Sequence, residues 1–512
     1  MKNQLKELLS SKLLLLNLLV TVALFIACHV LQRYILFDIE QSRVFVYESD
    51  KIIDQISIAG GIADFLALFA QQFYLFQYAG PAIMAVVFLL VTLCMQGISS
   101  SITGRDVTLT EGVLCWLPAS LLFIYTEDDI FFTTGHMAIL LSVFGLWIYA
   151  RLLCAVNKFV RWILIPVLVI AFGYACSTAV WPMIAGMFVV AIAKKNYVDC
   201  VLVPLSAVLT IGLGRYFCLA TNETELFSPD SFTYRNGLDT VMDWVWASIV
   251  LVAAAVALLN RWKNQKVMNS MITAGIVLVI GFFFIKKMYE SEASVETKQR
   301  LALQRNLDTG NYEEAYDFAL GYKENVYMSN VLFYIRSLNG DLVNAVTSFG
   351  PRESYALIMK SSEARIVRRH LMSFYYYLGY VYGAQCQAFE YNEPTEGMMV
   401  PEAVKILAKT NIIMGNYAVA DKYLSHLENT LFYSDWAKEY RKFLYNDKAV
   451  EADKELGPRR KGLNIESVPE HKTLIPDVIR LIANASPELP AKQYKDAMMQ
   501  MGVFNYLKTE QQ

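Results

Sequence analysis

Long apolar runs in the first 286 residues constrain this chain more than any other feature of its sequence. A helix that crosses a lipid bilayer needs about 20 mostly apolar residues. Runs close to that length recur in this part of the chain, with short polar stretches between them. The pattern predicts about nine membrane-spanning helices. Their bounds are roughly 13–35, 78–98, 109–125, 131–151, 160–177, 179–194, 197–218, 241–260 and 267–286.

The composition of the chain changes after residue 287. Charged residues make up 18% of the whole chain, below the ~25% of an average globular protein, and the deficit lies in the apolar part. Residues 288–512 have the composition of a soluble domain, and residues 448–512 predict a linker followed by a C-terminal helical cap. We therefore predict an all-α chain with a polytopic helical membrane domain at residues 1–287.

A short motif recurs in the soluble part. The pattern Gly-x-x-x-x-Ala occurs as Gly310–Ala315, Gly340–Ala345, Gly379–Ala384 and Gly415–Ala420. The offsets between the glycines are 30, 39 and 36 residues, close to the period of about 34 in tetratricopeptide (TPR) repeats. Glycine lets a helix end in a left-handed turn, and alanine lets paired helices pack closely. The motif predicts a TPR-like α-solenoid over residues 288–447, and a generic helical bundle is the alternative.

The segment Leu36–Phe76 lies between the first two apolar runs and is too polar to cross a bilayer. Its first part is acidic and aromatic. Its second part, Gly60–Phe76, has the pattern of an amphipathic helix that lies at the membrane interface. We predict a large ordered loop on one membrane face that forms the roof or rim of any site.

The distribution of Lys and Arg predicts the orientation of the spans. With the N-terminus inside, most basic residues fall in cytoplasmic loops, and an odd number of spans places residues 288–512 outside. We therefore predict a multi-pass protein of the bacterial inner membrane with a cytoplasmic N-terminus and a periplasmic C-terminal domain. The outer face would then collect three polar segments, Leu36–Phe76, Glu127–Asp129 and Thr221–Asp239.

Several function classes lack support in the sequence. The net charge of -2 gives no case for nucleic-acid binding. No Cys-x-x-Cys pair occurs, so structural zinc is disfavoured. The Walker A loop, the Rossmann fingerprint and the HExxH motif are absent, as is the GxSxG nucleophile elbow. Ordinary cofactor enzymes are therefore disfavoured.

Three stretches carry a resemblance to an uncharacterised family of bacterial polytopic membrane proteins with a TPR-like tail. They are Gly60-Gly61-Ile62-Ala63-Asp64-Phe65-Leu66 with Gln71-Gln72-Phe73, Ala384-Gln385 to Ala388-Phe389-Glu390, and Asn416-Tyr417 to Ala420 with Tyr423-Leu424. The similarity covers most of the chain and implies no particular activity.

The layout also resembles, more distantly, the GT-C class of membrane glycosyltransferases. That class uses lipid-linked sugar donors and has a first external loop with acidic catalytic residues and a helix lying on the membrane. Here Asp38 and Glu40 follow the first span, and Gly60–Phe76 supplies the flat helix. The resemblance implies that Asp38 or Glu40 acts as general base or holds a divalent cation.

The enzyme hypothesis depends on the geometry of that carboxylate pair. Two residues that are two positions apart point the same way on an extended segment, whereas on a helix they diverge by roughly 200°. An extended segment would let Asp38 and Glu40 face one cleft.

Five further residues complete the candidate substrate site. Asp64 lies in the external loop, Asp128 and Asp129 in an acidic turn, and Arg235 in the third external segment. His136 lies within a predicted span, where an ionisable residue is a functional candidate by default. The structural alternatives are a solvated turn for the acidic pair and a neutral His bonded to a neighbouring helix.

A non-enzymatic scaffold is the second hypothesis. In that case the spans anchor the TPR-like domain, and its surface recruits a protein partner for envelope assembly or export. The first hypothesis instead requires a membrane lipid or lipid-linked sugar as partner. A transporter is a weaker third option, because the spans contain almost no charged residues that could couple ions.

Two further groups carry structural expectations. Asp199 lies near a predicted span end and is expected to reach the membrane interface. Arg365, Arg368, Arg369 and His370 form a basic cluster at helical spacing, which predicts a solvated face, with a lipid-headgroup contact as the alternative.

Overall fold

The structure is a computed structural model. It describes residues 2–126, 133–151, 156–216, 240–261, 275, 292–323, 325–349, 357, 359, 365–392, 399–463 and 488–500. Every regular element in these residues is a helix, and no strand occurs among them, which confirms the all-α prediction at this level. The chain divides into two compact units. Unit 1 is Met1–Glu40 with Glu48–Thr297, and unit 2 is Gln41–Tyr47 with Lys298–Gln512.

Unit 1 contains the apolar helices. In chain order they are α1 Lys2–Ala27, α2 Arg33–Glu40, α3 Ser49–Ile56, α4 Gly61–Gln71, α5 Ala79–Thr103, α6 Leu109–Cys115, α7 Leu117–Tyr125, α8 Thr133–Arg151, α9 Lys158–Cys176, α10 Val180–Ala193, α11 Asp199–Tyr216 and α12 Thr240–Arg261. A single π-helical turn, Cys28–Gln32, joins α1 to α2. Helix α8 packs against α4, α5, α9 and α10, and therefore lies at the centre of the unit.

Five apolar stretches of the described residues are long enough to cross a membrane. They are Lys12–Glu40, Ala79–Thr103, Thr133–Arg151, Lys158–Ala193 and Met242–Asn260. Two shorter apolar helical stretches, Leu109–Tyr125 and Asp199–Leu213, add to them. These apolar helices are compatible with a membrane protein by length and composition, while the total of nine spans stays a prediction. The last predicted span, residues 267–286, lies outside the described residues.

The predicted spans 160–177 and 179–194 form one apolar stretch that breaks at Ser177. Ser177 has φ 48° and ψ -130°, a backbone conformation that costs a residue with a side chain of order 1–3 kcal/mol. A 3-10 turn, Ser177–Ala179, then leads into α10.

The turn between α3 and α4 packs against this break. The Gly60 N–H donates to the Tyr174 carbonyl at 2.7 Å, and the Tyr174 hydroxyl donates to the Ile56 carbonyl at 2.7 Å. Gly60 has φ +82°, and a Cβ there would lie 3.0 Å from the Ser177 Cβ. The position therefore requires glycine for both its backbone angle and its contact.

The segment Leu36–Phe76 is mostly helical rather than a loop. It contains the end of α2, then α3, then α4, which continues as the 3-10 turn Gln72–Leu75. A helix does follow Gly60, and its buried face consists of small residues such as Ala63 and Ala67 that pack against α8 and α9. Its position at a membrane interface stays a prediction.

Unit 2 consists of short helices and the segment Gln41–Tyr47. The helices are α13 Glu292–Asp308 (which begins before the unit boundary), α14 Tyr312–Gly321, α15 Val326–Leu338, α16 Leu342–Phe349, α17 Arg365–Leu378, α18 Val381–Asn392, α19 Pro401–Met414, α20 Tyr417–Glu428, α21 Ser434–Tyr440, α22 Asp447–Ala452, α23 Leu456–Lys461 and α24 Ala491–Gln500. Three consecutive pairs pack as helical hairpins, namely α15 with α16, α17 with α18, and α19 with α20.

The four glycines of the repeated motif all lie at turns between helices. Gly310, Gly340, Gly379 and Gly415 have φ values of 74°, 73°, 93° and 80°. This is the left-handed conformation that glycine adopts without a steric cost. The four motif alanines, Ala315, Ala345, Ala384 and Ala420, are at most 3% exposed. The motif therefore marks a repeated helix–turn–helix corner.

The stretch that the sequence assigns to a linker begins with a helix. Leu456–Lys461 forms α23, which packs on α19, and Leu456 is fully buried. Near the end of the described chain, α24 packs on α16, and its Tyr494 is fully buried. The apolar side chains Leu456 and Tyr494 explain why these charged stretches still join the core.

We predict that Ala420→Arg destabilises unit 2 severely, because Ala420 is 0% exposed at a helix crossing and a long cation has no room there. The expected loss of unfolding free energy is about 3–5 kcal/mol. The matched control is Val419→Arg at the neighbouring position, where the side chain is 44% exposed and the expected change is within about 0.5 kcal/mol. Thermal unfolding of the full chain in detergent measures both, and equal losses would contradict the hairpin packing.

Candidate functional site

Asp38 and Glu40 lie on helix α2, so the helical alternative holds for this pair. The helix continues to Glu40 because Ile35, Leu36 and Ile39 bury one helical face, each at most 6% exposed. Two positions on a helix diverge by roughly 200°. Glu40 is accordingly buried at 1% exposure, whereas Asp38 is half-buried. The two carboxylates therefore do not face one cleft as a pair.

Asp64 joins three helices of unit 1. Its Oδ2 accepts from Gln55 Nε2 of α3 at 2.9 Å, and its Oδ1 accepts from Thr134 Oγ1 of α8 at 2.7 Å. The residue lies in the first turn of α4, where the helix dipole favours a carboxylate. Asp64 is thus fixed in position by both of its oxygens.

His136 is fully buried between α7 and α8. Its Nε2 lies 2.8 Å from Thr126 Oγ1. The Thr126 hydroxyl donates to the Leu122 carbonyl at 2.8 Å, so the Nε2 proton of His136 donates to Thr126. The rings of Tyr125 and Phe88 lie 5.5 and 6.1 Å from the imidazole. The arrangement matches a neutral His bonded to a neighbouring helix.

The candidate site residues divide between the two ends of α4. Near one end, Gln71 Nε2 donates to the Ile39 carbonyl, beside Asp38 and Glu40. Asp64 lies seven residues earlier, which is about 10 Å along the helix axis at 1.5 Å per residue. Asp128, Asp129 and Arg235 lie outside the described residues. The structure thus links Asp64 to the start of α8, and Asp38 with Glu40 to the opposite end of α4.

The expected divalent cation has no matching cluster in the part of the chain that the structure describes. No group of three or more His, Cys, Asp or Glu side chains with the geometry of a metal site occurs there.

A buried ion pair in unit 1 was not expected from the sequence. Asp199 is 0% exposed, and its position at a membrane interface stays a prediction. Its Oδ1 accepts from Arg161 Nε at 2.9 Å, and its Oδ2 accepts from the Tyr149 hydroxyl at 3.0 Å. The three side chains join α8, α9 and α11. The separation of 38 residues between Arg161 and Asp199 leaves no local sequence signal for the pair.

A second buried polar contact joins the first span to two others. Asn17 Nδ2 donates to Gln96 Oε1 at 3.0 Å, and Gln96 Nε2 donates to Asn17 Oδ1 at 2.9 Å. Trp116 Nε1 also donates to Asn17 Oδ1, at 3.1 Å. Amide pairs of this kind hold helices together inside lipid, where a polar group needs a partner. Polar residues in the middle of apolar runs are the signal that could have identified them.

Unit 2 holds the segment Gln41–Tyr47 through main-chain bonds. The Val44 N–H donates to the Met399 carbonyl at 3.1 Å, and the Tyr47 N–H donates to the Asn429 carbonyl at 2.7 Å. Gln41 Nε2 donates to the Tyr433 hydroxyl at 3.0 Å. We call this arrangement the segment seat.

Part of the segment is buried. Gln41 is 2% exposed and Phe45 is 3% exposed. The Phe45 and Tyr47 rings meet edge to face, 4.8 Å apart. Val44 packs against the hydrophobic core of unit 2. A non-helical stretch of the chain thus contacts unit 2 through both its backbone and its side chains.

An aromatic cluster around two lysines lies next to the seat, because Tyr433 belongs to both. Lys405 Nζ lies 4.6 Å from the Tyr433 ring centre, and Lys409 Nζ lies 5.3 Å from that of Tyr440. Lys409 also pairs with Glu455 at 2.8 Å. Burial alone would raise the pKa of Glu455, but the Lys409 charge together with hydrogen bonds from Lys409, Tyr376 and Tyr440 lowers it below its usual value. These cation–π and ion pairs fix the α19–α21 region.

The basic cluster at the start of α17 is largely buried rather than solvated. The Arg369 side chain is 4% exposed and pairs with Asp308 at 2.5 Å. His370 is 2% exposed, and its Nε2 lies 2.7 Å from Asn330 Oδ1. Burial lowers the pKa of His370 to about 4, so the imidazole is neutral near pH 7. The solvated-face prediction is therefore wrong for these two residues.

Together these features define an all-helical protein with candidate membrane-spanning helices and a separate unit of short helical hairpins. A family model described as a family of unknown function (DUF6057) matches residues 9–494. The chain belongs to that family, and the prediction of an uncharacterised family is confirmed at this level. Comparison with curated proteins and with solved structures gives no match.

We predict that Asp199→Asn destabilises unit 1, because the substitution leaves the buried Arg161 cation without its counter-charge. Breaking a buried pair in this way costs roughly 3–5 kcal/mol. The control is Glu439→Gln, which breaks an exposed pair with Lys442 whose side chains are 66% and 56% exposed and which contributes about 0–1 kcal/mol. A thermal shift of the detergent-solubilised chain that is as small for Asp199→Asn as for the control would contradict the buried pair.

Proposed function

We propose that this protein is a membrane-anchored scaffold whose unit 2 is a TPR-like repeat domain that binds a protein partner. The observation that carries the proposal is the repeated corner, in which a left-handed glycine and a buried alanine recur at four turns. Stacked hairpins of this kind form extended binding surfaces. The apolar helices of unit 1 supply the membrane anchor.

Exposed aromatic side chains on unit 2 suit a protein partner. Phe389 on α18 is 59% exposed, and Tyr445, before α22, is 71% exposed. Large aromatic residues are frequent anchors of protein interfaces because they bury much area with few rotatable bonds. Phe389 also lies within one of the stretches that carry the family resemblance. We therefore assign the partner surface to the face that presents Phe389.

The proposed location follows from the charge pattern of the loops. The excess of Lys and Arg on one side of the spans supports a cytoplasmic N-terminus and an external unit 2. In a bacterium with two membranes, the scaffold would lie in the inner membrane and offer unit 2 to partners in the periplasm. Envelope assembly or export is the matching process.

The glycosyltransferase-like hypothesis draws less support from the geometry. It relies on Asp38 and Glu40 acting together, and helix α2 separates their directions. It also relies on Asp64 near the same cleft, whereas Asp64 bonds to Gln55 and Thr134 toward the other end of α4. The scaffold needs no such convergence.

Complementation of a deletion strain tests the proposal. We expect Asp38→Asn and Glu40→Gln, each in the full chain, to restore the growth or envelope phenotype, because neither carboxylate is part of the partner surface. We expect Phe389→Asp to fail, because it places a charge on an apolar contact, and Phe389→Leu to restore function as its matched control.

Membrane levels of each variant, measured by immunoblot, separate loss of function from loss of protein. If Asp38→Asn abolishes function at a normal membrane level while Phe389→Asp restores it, the scaffold proposal is wrong and the enzyme hypothesis takes its place.

A further inference from the structure

The segment Gln41–Tyr47 has the features of a bound peptide rather than of a simple connection. The segment lies in the first polar region of the chain. Its seven residues belong to unit 2, whereas the residues on both sides of it belong to unit 1. Helix α2 ends at Glu40 immediately before the segment, and α3 begins at Ser49 just after it. The segment itself is non-helical, so its N–H groups are available to partners outside it.

The seat lies at the open end of one hairpin. Helices α19 and α20 are joined at Gly415, so Met399, before α19, and Asn429, after α20, mark the opposite end. The last carbonyls of a helix have no partner within the helix. Asn429 follows α20 directly and offers such a carbonyl to the Tyr47 N–H. The fold thus presents two main-chain acceptors to an extended chain.

Side-chain contacts add selectivity to this backbone recognition. Gln41 reaches the Tyr433 hydroxyl, Val44 packs on the core of unit 2, and Phe45 is almost fully buried. Backbone bonds do not depend on residue type, so the side-chain contacts supply the specificity of this site. The residues that make these contacts are a glutamine, a valine three positions later and then an aromatic residue.

We propose that the open end of the α19–α20 hairpin is a peptide-binding site that the chain fills with its own residues 41–47. Release of this segment frees the site for a second extended peptide with the same pattern. The site is built from residues other than Phe389, so this proposal does not depend on the scaffold function.

The covalent connection explains why the site is filled in the intact chain. The segment is tethered on both sides, at Glu40 and at Glu48. Short tethers give effective concentrations on the order of millimolar. A free peptide at micromolar concentration therefore competes poorly with the tethered segment unless that segment is weakened.

Peptide binding to the full chain in detergent tests the proposal. The probe is a fluorescein-labelled synthetic peptide with the sequence of residues 38–49, DIEQSRVFVYES. Val44→Pro removes the N–H that donates to the Met399 carbonyl. Val44→Ala keeps that N–H and is the matched control. Phe45→Ala is a second way to weaken the tethered segment.

We expect the probe to bind Val44→Pro and Phe45→Ala at least tenfold more tightly than the wild-type chain or Val44→Ala, by fluorescence anisotropy. A probe with proline at the Val44 position should bind none of them. The thermal midpoint of each variant shows that it is folded. The proposal is overturned if the probe binds neither weakened variant, or if it binds the wild-type chain equally well.

Discussion

Two main-chain hydrogen bonds, from Val44 to Met399 and from Tyr47 to Asn429, determine how this chain is organised. Because of them, the chain passes between its two units three times, after Glu40, after Tyr47 and after Thr297. A connection through residue 297 alone would leave the two units joined by a single linker. The segment Gln41–Tyr47 adds two further crossings of the chain between the units.

Unit 1 follows a different constraint, which is that each buried polar group among apolar helices needs a partner. Asp199 satisfies this constraint with Arg161 and Tyr149, and Asn17 satisfies it with Gln96 and Trp116. Asp64 does so with Gln55 and Thr134. Each of these contacts joins two or more helices that are distant in sequence, so the polar groups specify the packing of the apolar ones.

Sequence patterns among neighbouring residues predicted the features that depend on a single turn or on a single apolar run. The left-handed turns at Gly310, Gly340, Gly379 and Gly415 were predictable because only glycine adopts that conformation without cost. The apolar helices were predictable from the length of their runs. Helix α2 was missed because an acidic stretch after an apolar run reads as a loop, although the face that includes Ile39 continues the helix to Glu40.

Contacts between residues that lie far apart in the sequence could not be predicted from the sequence alone. Gln41 and Tyr433 are 392 residues apart, and the seat recognises backbone atoms, which every residue possesses. The burial of Arg369 and His370 depends on partners on other helices, Asp308 and Asn330. A basic cluster on one helix cannot reveal such partners in a single sequence.

Hydrogen–deuterium exchange of the full chain in detergent, read by mass spectrometry over residues 41–47, tests the central claim most directly. The account predicts that the amides of Val44 and Tyr47 exchange about a hundredfold or more slowly than in a free peptide, because both donate to carbonyls of unit 2. Exchange of both amides at the rate of the free peptide would contradict the seated segment.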